Sequence, residues 1–196
     1  MGKLFYIMGK SSSGKDTIYA DLLARAHLGL EPVVTYTTRP IRANETDGVQ
    51  YHFVTEDTRH RMQQEGSVIE LRMYPSVCGP WYYFTADTEA IDLARQNYLA
   101  VGTLESFRKL KSYYGEDRVL PIYIEVGDRE RLLRAIRREE AQATPNYKEV
   151  CRRYVADEED FTEEKIAQAG ITRRFANDGE CRDCIRAIEH YIREQL

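Results

Sequence analysis

The sequence predicts an α/β domain: a parallel sheet covered by helices on both faces, a smaller inserted β sub-domain, and an exposed helical flap. Three observations predict it. Short apolar runs alternate with helical patterns at both ends of the chain, the rhythm of parallel strands joined by crossing helices. A Gly-rich loop lies between the first strand and the first helix. Several β-like runs crowd between about residues 35 and 86, where that rhythm breaks.

Each element follows in order. Leu4-Phe5-Tyr6-Ile7-Met8 reads as a buried strand. Residues 14–26 read as a helix with Ile18, Leu22 and Leu23 inward. Residues 32–37 form a second β-like run. Residues 51–54, 68–74 and 81–85 are further short strands, interrupted by a helix over 56–65. Together they read as a mixed, mostly antiparallel sub-domain. Residues 88–97 are expected to be helical, and Tyr98-Leu99-Ala100-Val101 a strand. Leu104, Phe107, Leu110 and Tyr114 recur at helical spacing. Residues 119–126 form a strand, followed by a charged helical stretch from Asp128. Residues 137–165 carry charge on all sides, so they are expected to form an exposed flap. A last short strand over 172–175 precedes the C-terminal helix.

Composition narrows the function. The 196 residues are 42% hydrophobic and 31% charged, values of a globular chain, with a length that fits one domain. A net charge of −4 argues against a partner such as nucleic acid or an anionic membrane, since both need a basic face. No apolar run approaches the roughly 20 residues that span a bilayer. The first apolar stretch is too short for a signal peptide, and Tyr6 breaks the myristoylation pattern. Cys181 and Cys184 lack the second pair of a zinc site and share helical spacing with Ile185, Ile188 and Ile192, so they are expected to face the core. Reduced cysteines without a secretory signal point to the cytoplasm. Nothing in the sequence sets an oligomeric state. One excess remains, 14 Tyr against 6 Phe and 1 Trp.

Gly9-Lys10-Ser11-Ser12-Ser13-Gly14-Lys15 fits GxxxxGK, between a strand and a helix as that motif requires. Small residues let backbone N–H groups curl around a phosphate. The helix N-terminus adds partial positive charge, and Lys15 neutralises phosphate oxygens. Asp16 stands where a hydroxyl residue usually meets Mg²⁺ and Thr17 follows, so either Thr17 supplies the hydroxyl or Asp16 is a carboxylate ligand.

A second constellation runs from Thr35 to Phe53. Arg39 and Arg42, an acid, a turn Gly and then Tyr51-x-Phe53 make an anion clamp, because guanidinium forks bind phosphate bidentately and a Tyr hydroxyl adds a donor. The pattern TTRPxRxxExxGxxYxF after a phosphate loop resembles the signature of guanylate kinases, nucleoside-monophosphate kinases of the P-loop three-layer fold. Val68-Ile69-Glu70, Tyr82-Tyr83-Phe84-Thr85, Arg134 to Arg138, Arg153 and Asn177-Asp178 resemble further family segments in the same order.

The resemblance implies ATP-dependent phosphorylation of GMP and dGMP, with Mg²⁺ accompanying ATP. It implies a core of 1–34, 87–136 and 166–196, a GMP-binding sub-domain of 35–86, and a lid of 137–165. Lys15, Arg39, Arg138 and Arg153 would carry the transfer. Gly9, Ser11, Ser12, Ser13, Gly14, Lys15, Asp16, Thr17 and Asn177 would bind ATP, with Asp16 or Thr17 toward the metal and Asn177 near the base. Arg39, Arg42, Tyr51 and Tyr83 would hold the GMP phosphate. Glu70 would accept from guanine N1–H and the exocyclic amine, with Thr35 and Thr85 nearby. Adenine lacks that N1–H, so a buried carboxylate there would be left unpaired by AMP.

Two positions depart from the family. Ala100 and Gly102 stand where Asp-x-Asp is usual, which suggests that Asp16, or Glu105, compensates for the lost acids. Phe84 stands where the family has Gly, which is expected to alter the acceptor pocket. Two rival readings share the resemblance: a ribose-bisphosphate kinase, which need not read a base, and a non-catalytic guanylate-kinase-like binding module.

Overall fold

The computed structural model describes residues 2–42, 44–76, 79–88 and 91–196, and only the backbone at residue 76. The central strand β1 (Leu4–Met8) is buried along its whole length. It pairs in parallel with β7 (Asn97–Val101) on one side and β8 (Val119–Glu125) on the other. β2 (Leu30–Pro32) and β9 (Arg174–Ala176) complete a parallel sheet of order β2-β7-β1-β8-β9.

Alternation along β1 builds the three layers. Leu4, Tyr6 and Met8 point to one face and pack with Phe107 and Leu110 of α3 (Leu104–Tyr114). Phe5 and Ile7 point to the other and pack with Ile18 and Leu22 of α1 (Lys15–Ala24) and with Ile185 and Ile188 of α7 (Cys181–Gln195). Cys184 is buried in that second layer, as its spacing predicts, and Cys181 packs against it.

The inserted sheet has the order β4-β3-β6-β5. β3 (Tyr36–Thr37) runs parallel to β4 (His52–Phe53) and antiparallel to β6 (Gly79–Ala86), which pairs antiparallel with β5 (Val68–Ser76). The helix α2 (Glu56–Gln64) is capped by the Thr55 hydroxyl, which accepts from the Thr58 N–H. After β8 come α4 (Asp128–Glu140), α5 (Tyr147–Asp160) and α6 (Glu163–Gln168).

Three expectations are corrected. The run 32–37 is not one strand: β2 ends at Pro32, which lacks the N–H that continues a ladder. Residues 88–97 are not a helix over their described part, and Glu89 and Ala90 lie outside the described residues. There the Asp92 carboxylate accepts from the Ala94 N–H and the Tyr98 hydroxyl accepts from the Asp92 N–H, side-chain bonds that favour a turn. The charged stretch 137–165 is not solvated all round. Val150 and Phe161 are buried, the latter with its ring 5.9 Å from Tyr123 of β8. Among the described residues no helix is long and apolar enough to cross a membrane.

Candidate active site

The phosphate loop joins β1 to α1. A side chain at Gly9 would place its Cβ 2.4 Å from the Ile124 carbonyl. Gly14 has φ +90°, and a Cβ there would lie 2.7 Å from Asn177 Nδ2. That Asn177 amide donates to the Ser13 carbonyl at 2.9 Å, fixing the loop from the end of β9. Arg134 in turn donates to the Asn177 carbonyl at 2.8 Å. Asn177 is therefore placed on the loop's main chain, where the sequence suggested the nucleotide base. Ser12 sits in the left-handed region at φ 63°. Lys15 Nζ donates to the Lys10 carbonyl at 2.9 Å. Burial pulls the Lys15 pKa below the ordinary lysine value, against the opposing pull of Asp16. Asp16 and Thr17 are exposed on the first turn of α1.

Carboxylates of α5 occupy this loop. The Ser11 N–H donates to Asp157 Oδ2 at 2.8 Å, and the Ser11 hydroxyl to Asp157 Oδ1 at 3.2 Å. Lys10 Nζ donates to both Glu158 oxygens, at 2.7 and 2.8 Å. Arg131, 2% exposed, bonds Asp157 at 3.1 Å and Glu158 at 2.6 Å and lies 4.4 Å from the Tyr154 ring centroid. Arg138 and Arg153 face a cavity of about 290 Å³ with Ser11, Ser12, Arg131 and Asp157. The two expected lid arginines are thus brought to the loop. Glu149 accepts from Arg152 at 2.7 Å and from Arg153 at 2.8 Å, and these guanidinium groups pull its pKa down to about 2.

The acceptor residues come together by register. β5 and β6 set Glu70 opposite Thr85 and Arg72 opposite Tyr83, and β3 sets Thr37 opposite Tyr83. Opposed residues share a face, so Glu70, Thr85, Tyr83 and Thr37 point one way. The Tyr51 and Tyr83 rings stand 5.5 Å apart, and Thr35, just before β3, accepts from the His52 N–H through its carbonyl at 2.9 Å. Arg39, 4% exposed, is held by Glu45 at 2.7 Å and lies 5.7 Å from the Tyr51 ring centroid. The Glu45 bond raises the Arg39 pKa, burial opposes it, and Tyr83 adds to the rise. Glu45 also accepts from the Arg42 N–H at 2.8 Å, folding the clamp loop, while Arg42 itself is exposed. Ala43 of that loop lies outside the described residues.

Glu70 is 3% exposed and has three side-chain partners, which leaves acceptor capacity on its carboxylate. Thr85 Oγ1 donates to its Oε1 at 2.9 Å, and Ser106 Oγ donates to its Oε2 at 2.9 Å. Arg72 Nε lies 3.2 Å from the same Oε2.

The departures resolve differently from expectation. Phe84 points to the opposite face, fully buried and stacked on Tyr36 at 5.1 Å, so it does not shape the acceptor face. Ala100 is buried in the core beside Tyr6. A Cβ at Gly102 would lie 2.1 Å from the Tyr6 hydroxyl, which therefore fills the space that a side chain at this position would need. Burial pushes the Tyr6 phenol well above its ordinary pKa, so it stays neutral there. Glu105 is exposed and paired with Lys109 at 2.7 Å.

Four residues escaped the sequence reading: Arg131, Asp157 and Glu158 in the charged run, and Arg72 on the acceptor strand. Only the strand alternation from Glu70 to Arg72 offered a signal.

The loop fits a polyphosphate. Ser12 Oγ and Ser13 Oγ, which can donate to phosphate oxygens, are buried without a hydrogen-bond partner, and so is Arg131 Nε. A carboxylate already sits on the Ser11 amide, where an anion is accepted. The oxygens of Asp16 and Thr17 are the hard donors that Mg²⁺ takes alongside phosphate and water.

A guanylate kinase of Neisseria gonorrhoeae is 37% identical over 98 residues, 50% of this chain and 45% of that protein. A guanylate kinase of Porphyromonas gingivalis is 30% identical over 126 residues, 63% of this chain and 65% of that protein. The matched segments thus span less than two thirds of these relatives. The crystal structure of a guanylate kinase from Anaplasma phagocytophilum superposes with a TM-score of 0.62 at 20% identity, covering 100% of this chain and 87% of that one, a likeness of fold. The family model described as guanylate kinase matches residues 1–164, well over half of the sequence. The chain belongs to the guanylate kinase family.

Proposed function

We propose that the protein transfers the γ-phosphoryl group of ATP to GMP, and to dGMP, giving the diphosphate. One observation carries the reading: Glu70, Tyr83 and Thr85 share one face of the inserted sheet, with the Tyr51 ring against Tyr83. Phosphoryl transfer needs positioning and charge neutralisation more than covalent chemistry. Lys15 and the loop amides hold the donor's phosphates. Arg39, Arg42, Tyr51 and Tyr83 hold the acceptor's phosphate, and Glu70 faces the donors on the guanine edge. Arg138 and Arg153 lie across the loop, where they neutralise the transferring group as the lid closes and water is excluded. Mg²⁺, held through Asp16 or Thr17 and the phosphates, supplies further neutralisation when bound.

On this reading 1–34, 87–136 and 166–196 form the core, 35–86 the acceptor sub-domain and 137–165 the lid. The free thiols Cys151, Cys181 and Cys184 support a cytoplasmic setting.

Asp157 and Glu158 occupy donors that a polyphosphate needs, so donor binding must displace them. Nucleotide entry and lid movement are then one event. Coupled measurement of phosphoryl transfer from ATP to GMP, giving ADP and GDP, tests the reading. ATP binding with no acceptor turned over would favour the binding-module alternative.

A further inference from the structure

Glu70 does not stand alone at the base end of the acceptor face. Arg72 follows it by two residues on β5, so the two side chains share a face. The Arg72 side chain is 19% exposed against 1% for Glu70, so the guanidinium is the reachable half of the pair. It borders a cavity of about 610 Å³ between β5, the start of α3 and the lid, with Tyr74, Thr103 and Lys165. The bond to Glu70 uses one of its five N–H donors and a hydrogen bond to the Tyr74 side chain another, which leaves donors for a ligand.

This pairing alters the chemistry of selection. A lone buried carboxylate rejects adenine because its charge would be left unpaired. Here Glu70 already has Thr85, Ser106 and Arg72 as partners, so that penalty is blunted. The Tyr6 hydroxyl fills the space beside Gly102, so no second acid is offered there. Discrimination must then come from the pair. A carboxylate beside a guanidinium presents acceptors and then donors. Guanine presents the complement, with the 2-amino and N1–H donors followed by the O6 acceptor, and Arg pairs with guanine O6 wherever it can reach it. Adenine has a lone pair at N1 and an amine at position 6, so it opposes both halves.

Resting on the guanine-acceptor reading above, we propose that Arg72 is a specificity residue that donates to purine O6 while Glu70 accepts from the neighbouring N–H groups.

The test is calorimetric binding of three monophosphates to the wild type, Arg72→Met and Arg72→Lys. GMP carries O6 and both donors. IMP keeps O6 and N1–H without the 2-amino group. 2-Aminopurine riboside monophosphate keeps the 2-amino group and lacks O6. Arg72→Met is expected to weaken GMP and IMP by a common factor, roughly 10- to 100-fold for a charge-assisted bond, and to leave 2-aminopurine within about twofold. Arg72→Lys should recover part of the loss for the two O6 ligands. Thermal melting confirms that each variant is folded. Should Arg72→Met fail to fold, the Lys variant decides alone, by weakening the O6 ligands selectively or not. Equal losses for all three ligands overturn the inference, because Arg72 then only supports Glu70. An unchanged profile in a wild type that prefers GMP overturns it while leaving the acceptor reading intact. A wild type that binds none of the three overturns both.

Discussion

Asp157 of the lid accepts a 2.8 Å hydrogen bond from the Ser11 backbone N–H, so a side-chain carboxylate sits on the phosphate loop itself. The same carboxylate bonds Arg131 at 3.1 Å, and Glu158 joins Arg131 to Lys10. On the proposed function, donor nucleotide and these two acids compete for one set of donors.

Asp157→Asn keeps the size of the side chain and removes its charge. Apparent ATP affinity is expected to rise roughly tenfold, because the polyphosphate no longer displaces a paired anion. The melting temperature without nucleotide should fall, since buried Arg131 loses a counter-charge. Calorimetry and thermal denaturation on one sample check both.

Asn177→Ala removes the bond that fixes the Ser13 carbonyl. Loss of one buried neutral hydrogen bond is expected to cost about 1 kcal/mol of stability. The KM for ATP should rise with little change in the KM for GMP, because the acceptor clamp lies on another sheet. Steady-state kinetics with each substrate varied in turn separate the two.

On the proposed reading Lys15 binds phosphate as an ammonium, and burial lowers its pKa. Its charge is fully present below that lowered pKa and is lost as pH rises through it. ATP affinity is therefore expected to decline on the alkaline side, starting below the pH at which an ordinary lysine titrates. Dissociation constants measured as a function of pH should show this limb, and Lys15→Arg should flatten it because a guanidinium keeps its proton.

Gly102→Ala sets a Cβ 2.1 Å from the Tyr6 hydroxyl. Overpacking of a filled core is expected to cost about 1–3 kcal/mol. Tyr6→Phe removes the nearest atom, so the double variant should regain part of that loss. A double-mutant cycle by denaturant unfolding gives the coupling.

Much of this site was legible because its parts are local. The glycines of the phosphate loop, the clamp arginines and the Glu70 strand each carry their chemistry in a few consecutive residues. Register did the rest: alternation from Glu70 to Thr85 and Tyr83 could be expected once the strands were placed, and it turned Phe84 away from the pocket. The lid was opaque for the opposite reason. Arg129, Arg131, Arg134, Arg137 and Arg138 look alike in sequence, and only tertiary packing buries Arg131 among Asp157, Glu158 and Tyr154. The turn before β7 was hidden because helical spacing there competes with the Asp92 and Tyr98 side-chain bonds.

The central claim is that a guanine monophosphate accepts the phosphoryl group on the Glu70 face. The most direct measurement is kcat/KM for ATP-dependent phosphorylation of GMP, dGMP, AMP, UMP and ribose bisphosphate under one set of conditions. The account predicts turnover of GMP and dGMP, with AMP and UMP lower by roughly 10³-fold or more because neither base offers the donors and acceptor that the guanine edge sets against Glu70 and Arg72. AMP turned over as well as GMP, or ribose bisphosphate as the preferred acceptor, would contradict it.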